Sequence, residues 1–333
     1  MQLNKSKPKL ENLNRHRLYH DNWSDIIEKS ALTENICRLR FSASTDVELP
    51  KPTAGSHIDI HLPNGLIRKY SLCSELHAND YEIAVLNEPQ GRGGFAYIHA
   101  NLCVGDTLSI SEPKNLFALE SKAKKTLLFA AGIGITPILA MAEYLLKQGS
   151  DFHLHYCGKS PEKAAYIDRI KNSRLEEFTH FHFSQSGWIK LAEEIPAAQQ
   201  DLHLYVCGPT TFNDSVIECA KDKSWQVSNI HREYFSAALI DHGDDASFKI
   251  EINSSGDIFT VPVDQSIPNV LEDNGYFIPV ACEEGVCGTC VTSLLSGDAD
   301  HKDVFMTAQE HTKMTLIAPC CSRAKSTRLK LDL

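Results

Sequence analysis

The spacing of four cysteines near the C-terminus constrains this chain more than any other feature. They follow the pattern C-x4-C-x2-C-x29-C, which is typical of the plant-type arrangement that holds a 2Fe–2S cluster. Gly285 and Gly288 stand between the ligands, where a loop wrapped around a compact cluster needs positive φ and close backbone approach. Structural zinc is the alternative, although zinc ribbons usually carry two separated C-x2-C pairs. The pattern predicts an iron–sulfur site and single-electron transfer. The four ligands are Cys282, Cys287, Cys290 and Cys320.

Length, charge and cysteine content narrow the class of protein further. The chain has 333 residues, enough for two or three domains, and a net charge of −10, which argues against nucleic acid as a partner. Eleven cysteines without an export signal indicate the cytoplasm, where thiols stay reduced or bind metal. The longest uncharged run, residues 126–142, is too short to span a membrane. We therefore expect a cytoplasmic protein with no membrane partner.

The length and spacing of the apolar segments divide the chain into three predicted folded units. Residues 21–118 carry short strands separated by turns, which predict an antiparallel β-barrel. Strands alternate with helices in residues 119–237, which predicts a parallel sheet in an α/β domain. An acidic, glycine-containing linker at 238–246 leads to the cysteine-bearing unit, 247–333. Residues 1–20 are polar and predict a disordered lead-in.

Individual elements can be placed within these units. The predicted barrel strands are Cys37–Ser42, His57–His61, Ile67–Leu72, Tyr81–Leu86 and Thr107–Ile110. The predicted parallel strands are Leu127–Ala131, Phe152–Cys157, Thr179–Phe183 and His203–Cys207, with helices at Pro137–Lys147, Ala164–Lys171 and Asn213–Lys221. The last unit begins with strands Phe248–Asn253 and Ile258–Val263 and a helix at Ile267–Asn274.

Two motifs in the barrel suggest a flavin site. Arg68, Tyr70 and Ser71 end a strand and offer a cation for a phosphate, an aromatic platform and a hydroxyl. A glycine-rich run opens the helical stretch that follows, where backbone amides and an arginine form a phosphate cradle. Alone, the first motif is compatible with simple packing and the second with a hairpin turn. The second run consists of Gly91, Arg92, Gly93 and Gly94.

Two further motifs follow predicted strands of the α/β domain and suggest a nicotinamide site. The segment AGIGITP follows a buried strand and opens a helix, where a pyrophosphate would bind. The segment CGP follows another strand, at the sheet edge where such domains bind ligands. Cys207 is equally compatible with buried packing. The candidate residues are Gly132, Gly134, Thr136, Pro137, Cys207, Gly208 and Pro209.

Taken in order, these motifs resemble those of the phthalate dioxygenase reductase family, which includes vanillate demethylase reductases. The motifs occur in the family's order: R-x-Y-S, G-R-G-G, G-I-G-I-T-P, C-G-P, H-x-E-x-F and then the cysteines. The resemblance covers nearly the whole chain from about residue 20. The resemblance implies FMN in the barrel, NADH in the α/β domain and a C-terminal ferredoxin domain of the β-grasp type. By the same match, Cys320 rather than Cys321 is the fourth ligand.

Residue roles also follow from the resemblance. It assigns Arg68 and Arg92 to the flavin phosphate, Tyr70 to ring stacking and Ser71 to the N5 edge. Gly93, Gly94, Ala84 and Val85 are further flavin contacts. The pyrophosphate of NADH would lie on Gly132, Gly134 and Thr136, beside Pro137, Gly208 and Pro209. The catalytic candidates are Ser71, Cys207 near the nicotinamide, and Glu233 and Phe235 of the H-x-E-x-F motif.

Two positions depart from the family pattern. Phe95 stands where the family usually has a serine after G-R-G-G, which removes a phosphate-binding hydroxyl. Ala131 replaces the first of two usual glycines and should tighten the nicotinamide pocket.

The activity implied is that of a reductase component that passes electrons from NADH to a Rieske-type oxygenase. The oxygenase, not this chain, would bind the final substrate: an aromatic methyl ether, a phthalate-like compound or a trimethylammonium compound. One alternative is an FAD-containing reductase for another acceptor such as a haem protein. A second is a flavin and iron–sulfur redox sensor, and a zinc-stabilised binding module is a third.

The charge of the last unit suggests how a protein acceptor would bind. Residues 247–333 contain 12 acidic and 7 basic residues, a net of −5. We expect an acidic docking face for a basic patch on the oxygenase, although solvated surface acids are the alternative. The acidic residues near the ligands, or in the segment GDADHKD at 297–303 that also resembles the family, are Glu283, Glu284, Asp298, Asp300 and Asp303.

Overall fold

The computed structural model describes residues 22–44, 48–74, 79–88, 94–235, 245–280 and 282–333. The expected lead-in at 1–20 lies outside these ranges, and so do all but the last two residues of the expected linker at 238–246. Arg92 and Gly93 also lie outside them. Among the described helices, none combines the length and apolar character needed to cross a membrane.

The first unit is an antiparallel β-barrel, as the strand pattern predicted. Its six strands are β1 (Asn22–Thr33), β2 (Ile36–Ala43), β3 (His57–His61), β4 (Ile67–Ser71), β5 (Tyr81–Leu86) and β6 (Thr107–Ile110). They are ordered β4-β3-β6-β1-β2-β5. Two residues beyond β4, the Cys73 amide donates to the carbonyl of Glu82 in β5 (2.9 Å), which joins the two outer strands and closes the sheet. Helix α1 (Gly94–Asn101) follows β5.

Strand β1 was missed by the sequence pattern. Its residues, NWSDIIEKSALT, are mostly polar and do not alternate, because irregularities in its register with β2 fall after Ile26 and after Ala31. Each such irregularity moves the following side chains to the other face of the strand, which removes the period-two signal.

The second unit is a parallel sheet covered by helices, in the order β11-β10-β7-β8-β9. Buried apolar runs explain its central strands, since both faces are packed. Its strands are β7 (Lys125–Ala131), β8 (Asp151–Gly158), β9 (Thr179–Phe183), β10 (Leu202–Cys207) and β11 (Ile230–Glu233). Its helices are α2 (Ile135–Gln148), α3 (Ile167–Lys171), α4 (Leu191–Glu194) and α5 (Thr210–Asp222).

The third unit has the mixed sheet of a β-grasp fold. Strands β12 and β18 are parallel neighbours at the centre, with antiparallel strands on both sides in the order β13-β12-β18-β14-β16. The strands are β12 (Phe248–Ile252), β13 (Ile258–Val261), β14 (Thr292–Ser296), β15 (Ala299–Asp300), β16 (Leu316–Ile317), β17 (Arg323–Ala324) and β18 (Arg328–Leu331). The helices are α6 (Ile267–Asp273) and α7 (Ala308–Lys313).

A half-buried ionic network joins the barrel to the α/β unit. The Arg169 guanidinium of α3 donates two hydrogen bonds to the Glu143 carboxylate of α2, both 2.7 Å, and one to Glu82 of β5 (3.0 Å). Close by, the Cys73 thiol and the Tyr166 hydroxyl are 3.0 Å apart. A bidentate hydrogen-bonded pair fixes the relative orientation of the two side chains as well as their distance. The network therefore holds the two units in a defined arrangement.

Candidate cofactor and iron–sulfur sites

The first flavin motif meets Gly94, the one described residue of the second motif, at the N-terminus of α1. Gly94 begins this helix, and a Cβ atom placed there would lie 2.4 Å from Nε of Arg68. The arginine of β4 therefore packs directly over the first turn of α1, which only a glycine permits. A cation and free backbone amides together form an anion site, as expected for a flavin phosphate.

Tyr70 provides the aromatic surface beside this anion site. Its ring is 7% exposed and meets Phe95 edge to face, with ring centroids 6.4 Å apart. Burial raises the pKa of the Tyr70 phenol, and its hydroxyl has no hydrogen-bond partner among the described residues. Phe95, the departure from the family pattern, thus contributes a ring contact in place of a hydroxyl. Ala84 and Val85 are buried in β5, where the Val85 carbonyl lies 2.9 Å from Nε2 of His99.

The carboxyl group of Glu233, a half-buried residue, links the barrel to the α/β unit. Glu233, at the end of β11, accepts a hydrogen bond from the Ser71 hydroxyl (3.4 Å) and lies 4.0 Å from the Cys207 thiol. Burial raises the pKa of Glu233 to about 7, against the opposing effects of Lys69 and the Ser71 hydrogen bond. Asn213 of α5 donates to the Glu233 carbonyl (2.9 Å) and holds the strand end in place. Three of the four catalytic candidates therefore lie together.

The two nicotinamide motifs also meet, through glycine contacts. A Cβ atom on Gly134 would lie 2.1 Å from the Cys207 carbonyl oxygen, and one on Gly208 would lie 2.8 Å from Cβ of Ala131. Strands β7 and β10 are parallel neighbours in the sheet, and each motif follows the carboxyl end of one of them. Both motifs therefore lie at the same edge of the sheet. This is the edge at which open α/β sheets bind ligands. The methyl group of Ala131 is accommodated because residue 208 is glycine.

The remaining nicotinamide candidates lie around the same edge. Pro137 is in the first turn of α2, as expected, and Pro209 immediately precedes α5. The Thr136 hydroxyl donates to the Ile133 carbonyl (3.0 Å), so it fastens the turn before α2. Gly132 has φ of +55° and open space where a side chain would be, which leaves the backbone accessible. Phe235, just beyond β11, is 37% exposed.

The four predicted cluster ligands converge in the third unit. The Cys282 thiol contacts those of Cys287 and Cys320, and Cys290 contacts Cys320. These contacts lower the pKa of Cys282 and raise that of Cys320. The neighbouring Cys321 thiol points towards the Ala318 carbonyl (3.7 Å), which supports Cys320 as the ligand.

The loop between these cysteines fits a compact cluster. Gly285 and Gly288 have φ of +71° and +70°. A Cβ atom on Gly288 would lie 2.4 Å from the Phe305 ring, and one on Gly285 would lie 2.8 Å from Cα of Asp303. Both glycines are therefore required by conformation and by space, as predicted from their positions between ligands. Four converging thiols, three of them on this loop and the fourth from Cys320, match the donor set of a 2Fe–2S centre.

Lys69 connects the flavin strand with the cluster loop and was missed by sequence reasoning. Its ammonium donates to the Cys287 carbonyl (3.3 Å) and lies 2.9 Å from Nε2 of His57. Burial, and then the Lys69 charge, lower the pKa of His57 to about 3, so the imidazole is neutral and can accept from Lys69. Asp59 lies 4.0 Å from the same ammonium. The only signal was the position of Lys69 inside the R-x-Y-S motif.

One member of the expected acidic docking face does not belong to it. Asp303 is 5% exposed, accepts from the Met306 amide (2.9 Å) and lies 3.2 Å from Nε2 of His311. Glu283 and Asp298 are exposed. The prediction was wrong for Asp303 because a carboxylate close in sequence to the ligands serves here to brace the loop.

The three units and their sites define a class of protein. A barrel with an anion site, a parallel sheet open at its carboxyl edge and a β-grasp unit with four cysteines form the architecture of a flavoprotein reductase fused to a ferredoxin domain.

Comparison with known proteins agrees with this class. Residues 250–325 match the family described as "2Fe-2S iron-sulfur cluster binding domain", and residues 111–230 match "Dimethylamine monooxygenase subunit DmmA-like, N-terminal domain". A vanillate O-demethylase oxidoreductase from Pseudomonas sp. (strain HR199 / DSM 7063) is 44% identical, covering 91% of this chain and 96% of the relative. The beta subunit of a heme-dependent oxidative N-demethylase from Ectopseudomonas mendocina (strain ymp) is 39% identical, covering 91% and 96%.

A solved structure extends the match to the whole architecture. Phthalate dioxygenase reductase is 32% identical, with a TM-score of 0.75, over 94% of this chain and 98% of that one. This chain belongs to the family of oxygenase reductases that includes the vanillate O-demethylase oxidoreductases. It is an oxidoreductase, and the fold class and the resemblance predicted from its sequence are confirmed.

Proposed function

We propose that this protein oxidises NADH, uses FMN to split the electron pair, and delivers single electrons through a 2Fe–2S cluster to a Rieske-type oxygenase. The observation that carries the proposal is the Lys69 contact, which joins the flavin strand to the carbonyl of the ligand Cys287. Bound flavin supplies the exchange between two-electron and one-electron chemistry that neither nicotinamide nor an iron–sulfur centre provides alone.

The residues of the chain would bind and orient the cofactors. Arg68 and the first turn of α1 would hold the flavin phosphate, and Tyr70 would pack against the ring. Ser71 and Glu233 would lie at the reacting edge, with Cys207 on the nicotinamide side. Because desolvation raises the pKa of Glu233 to about 7, this residue can hold a proton there near neutral pH.

The direction of electron flow follows from the reduction potentials of the centres. Plant-type clusters have potentials near roughly −400 mV, whereas Rieske centres lie between about −150 and +300 mV. A gap of about 250 mV corresponds to some four powers of ten for one electron. A Rieske acceptor would therefore draw electrons forward.

An anaerobic NADH titration of the purified protein tests the internal chain. We expect flavin bleaching and a low-temperature EPR signal from a reduced 2Fe–2S centre at near-stoichiometric NADH. Release and mass measurement of the flavin should give FMN. A bleached flavin without a cluster signal in iron-replete protein would contradict the proposal, and release of FAD would favour the alternative reductase class.

A haem protein is the second candidate acceptor. The similarity to the beta subunit of a heme-dependent N-demethylase favours it, because that relative spans nearly the same length. Steady-state electron transfer to a purified Rieske oxygenase and to a haem oxygenase separates the two. Faster transfer to the haem protein would overturn the Rieske assignment and leave the internal chain intact.

The acidic face around the cluster loop supports a protein acceptor over a small-molecule one. Glu283 is exposed beside the ligand Cys282, and Glu284 is half-buried next to it. Charge complementarity would raise the association rate at low ionic strength. Transfer to the oxygenase should slow as salt is added, and a rate independent of ionic strength would rule out electrostatic docking.

A further inference from the structure

A cluster of histidines lies on one face of the parallel sheet, away from the residues assigned to cofactors. His155 of β8 and His182 of β9 project from this face, and so does His180, which pairs with His155 in the parallel register. Glu194, the last residue of α4, approaches them from the segment that covers the sheet.

We propose that His155, His182 and Glu194 form a binding site for a divalent transition-metal ion of the zinc type, separate from the iron–sulfur centre. Nδ1 of His155 lies 3.2 Å from Nε2 of His182 and 3.8 Å from Oε2 of Glu194. The ligand atoms of all three residues lie within 4.8 Å of one another. Two imidazoles and a carboxylate, with a fourth position left to water, is a common zinc donor set.

The geometry of the two rings matches shared coordination. Two imidazoles on one tetrahedral zinc, with bonds of about 2.0–2.1 Å, place their ligand nitrogens about 3.3 Å apart and their ring centres about 5.2 Å apart. The observed separations are 3.2 Å between nitrogens and 5.4 Å between ring centroids. Little rearrangement would be needed for a metal ion to replace the shared proton.

A second histidine pair in the protein shows which feature matters. His203 and His231 also lie with ring nitrogens 3.0 Å apart and centroids 5.3 Å apart. Among the described residues, this pair has no carboxylate that completes a three-ligand set within 4.8 Å. It therefore provides a matched control in which the imidazole geometry is kept and the third ligand is missing.

A third cluster, His301, Asp303 and His311, has the required atoms but not the ring geometry. The His301 and His311 rings are stacked at 4.3 Å with an interplanar angle of 9°. This distance is about 1 Å shorter than two imidazoles converging on one tetrahedral ion would show. We therefore place the metal at the His155 cluster.

Burial supports this choice. The His155 side chain is 4% exposed, whereas that of Glu194 is 34% exposed, so the site has a solvent-facing side through which an ion can enter. Burial, together with neighbouring histidines, lowers the pKa of His155 to about 3, and that of His182 is lowered as well. Both imidazoles are thus neutral at pH 7, which is the state that binds metal.

Position in the fold indicates a structural role. Strand β9 is at the edge of the sheet. The apolar side chains of the covering segment at 189–195, Ile189, Leu191 and Ile195, belong to a cluster formed with β7, β10 and α5 that includes no residue of β9. Helix α4 has only four residues and no side-chain cap at its start. A metal bound between Glu194 and the strands would fasten this segment to the sheet edge.

Equilibrium dialysis of the untagged, iron-replete holoprotein against Zn²⁺, with metal analysis of zinc and iron, tests the site. We expect about one zinc per chain in addition to the cluster iron, and a thermal midpoint that rises with added zinc. His182→Gln should lower the zinc affinity by more than roughly 100-fold, because loss of an outer-sphere partner alone lowers it roughly 10- to 100-fold. His203→Gln should bind zinc as the wild type does.

Two outcomes would overturn the proposal. One is zinc binding by His182→Gln that equals that of the wild type. The other is a zinc X-ray absorption spectrum that shows mainly sulfur ligands, which would place the ion in the cysteine loop. Glu194→Gln provides a second variant if His182→Gln is poorly folded, and it should also lose zinc affinity. Far-UV circular dichroism and flavin content verify that each variant is folded.

Discussion

Replacement of Glu233 by glutamine should stabilise the protein at alkaline pH and leave its stability at acid pH unchanged. The carboxyl group lies between the Ser71 hydroxyl and the Cys207 thiol, and desolvation raises its pKa to about 7. A raised pKa means that the folded state resists ionisation of this group. The penalty is absent below about pH 4.5, grows between pH 4.5 and 7, and is complete above pH 7. Glutamine keeps an acceptor for Ser71 and carries no charge.

The magnitude follows from the shift itself. The difference between an ordinary value of 4.5 and a value of about 7 is equivalent to about 3 kcal/mol, at 1.36 kcal/mol for each tenfold change. For a cooperative unit of 150–250 residues, this corresponds to an increase in thermal midpoint of roughly 6 to 12 °C at pH 8. The residual structure of the unfolded chain reduces this figure, so it is an upper value.

The assay measures the thermal midpoint of the cofactor-loaded wild type and of cofactor-loaded Glu233→Gln between pH 5 and 8.5. Circular dichroism detects the unfolding. Glu193→Gln is the matched control, because its side chain is 67% exposed and loses the same charge without desolvation. Lys69→Met should move the wild-type transition to higher pH, since the Lys69 charge lowers the pKa of Glu233. A difference between Glu233→Gln and wild type that does not change with pH would refute the reasoning.

Three further predictions, made with four substitutions, test the cofactor sites. Gly94→Ala should displace the β4 arginine from the start of α1 and weaken flavin retention about 10- to 100-fold, as loss of a charge-assisted hydrogen bond does, measured by flavin content after dialysis. Gly288→Ala should reduce iron incorporation, because a methyl group would overlap the Phe305 ring and the left-handed backbone costs about 1–2 kcal/mol. Cys320→Ser should abolish the EPR signal of the reduced cluster, whereas Cys321→Ser should retain it; equal loss in both would contradict the ligand assignment.

The parts of the fold with a strong local signal could be predicted from the sequence. Strand β9 and the barrel strands β3, β5 and β6 have the predicted bounds, because apolar alternation and turn residues delimit them. Strand β11 was missed, since His231, Arg232 and Glu233 are polar and the strand forms only by pairing with β10. Tertiary contact decided its conformation where local preference did not.

The residues of the candidate site also fall into those with a local sequence signal and those without one. Cysteine spacing predicted four cluster ligands, and the structure brings the four thiols together. The clustering of Ser71 with Cys207 and Glu233 brings β4 to strands that lie more than a hundred residues further along the chain, so no local pattern contains it. The Lys69 contact is likewise a meeting of barrel and cluster loop, 218 residues apart in the chain.

One short strand accounts for how the three units are coordinated. Successive side chains of β4 project alternately to opposite sides, so four adjacent residues can serve different neighbours. Arg68 packs on α1, Lys69 donates to the carbonyl of a cluster ligand, and Ser71 donates to Glu233 at the edge of the parallel sheet. Between them, Tyr70 packs in the barrel core. A one-residue shift of β4 would exchange these faces and break all three contacts together. The R-x-Y-S motif is therefore constrained by its register as much as by the flavin, which explains why a lysine that contacts no expected cofactor lies at its centre.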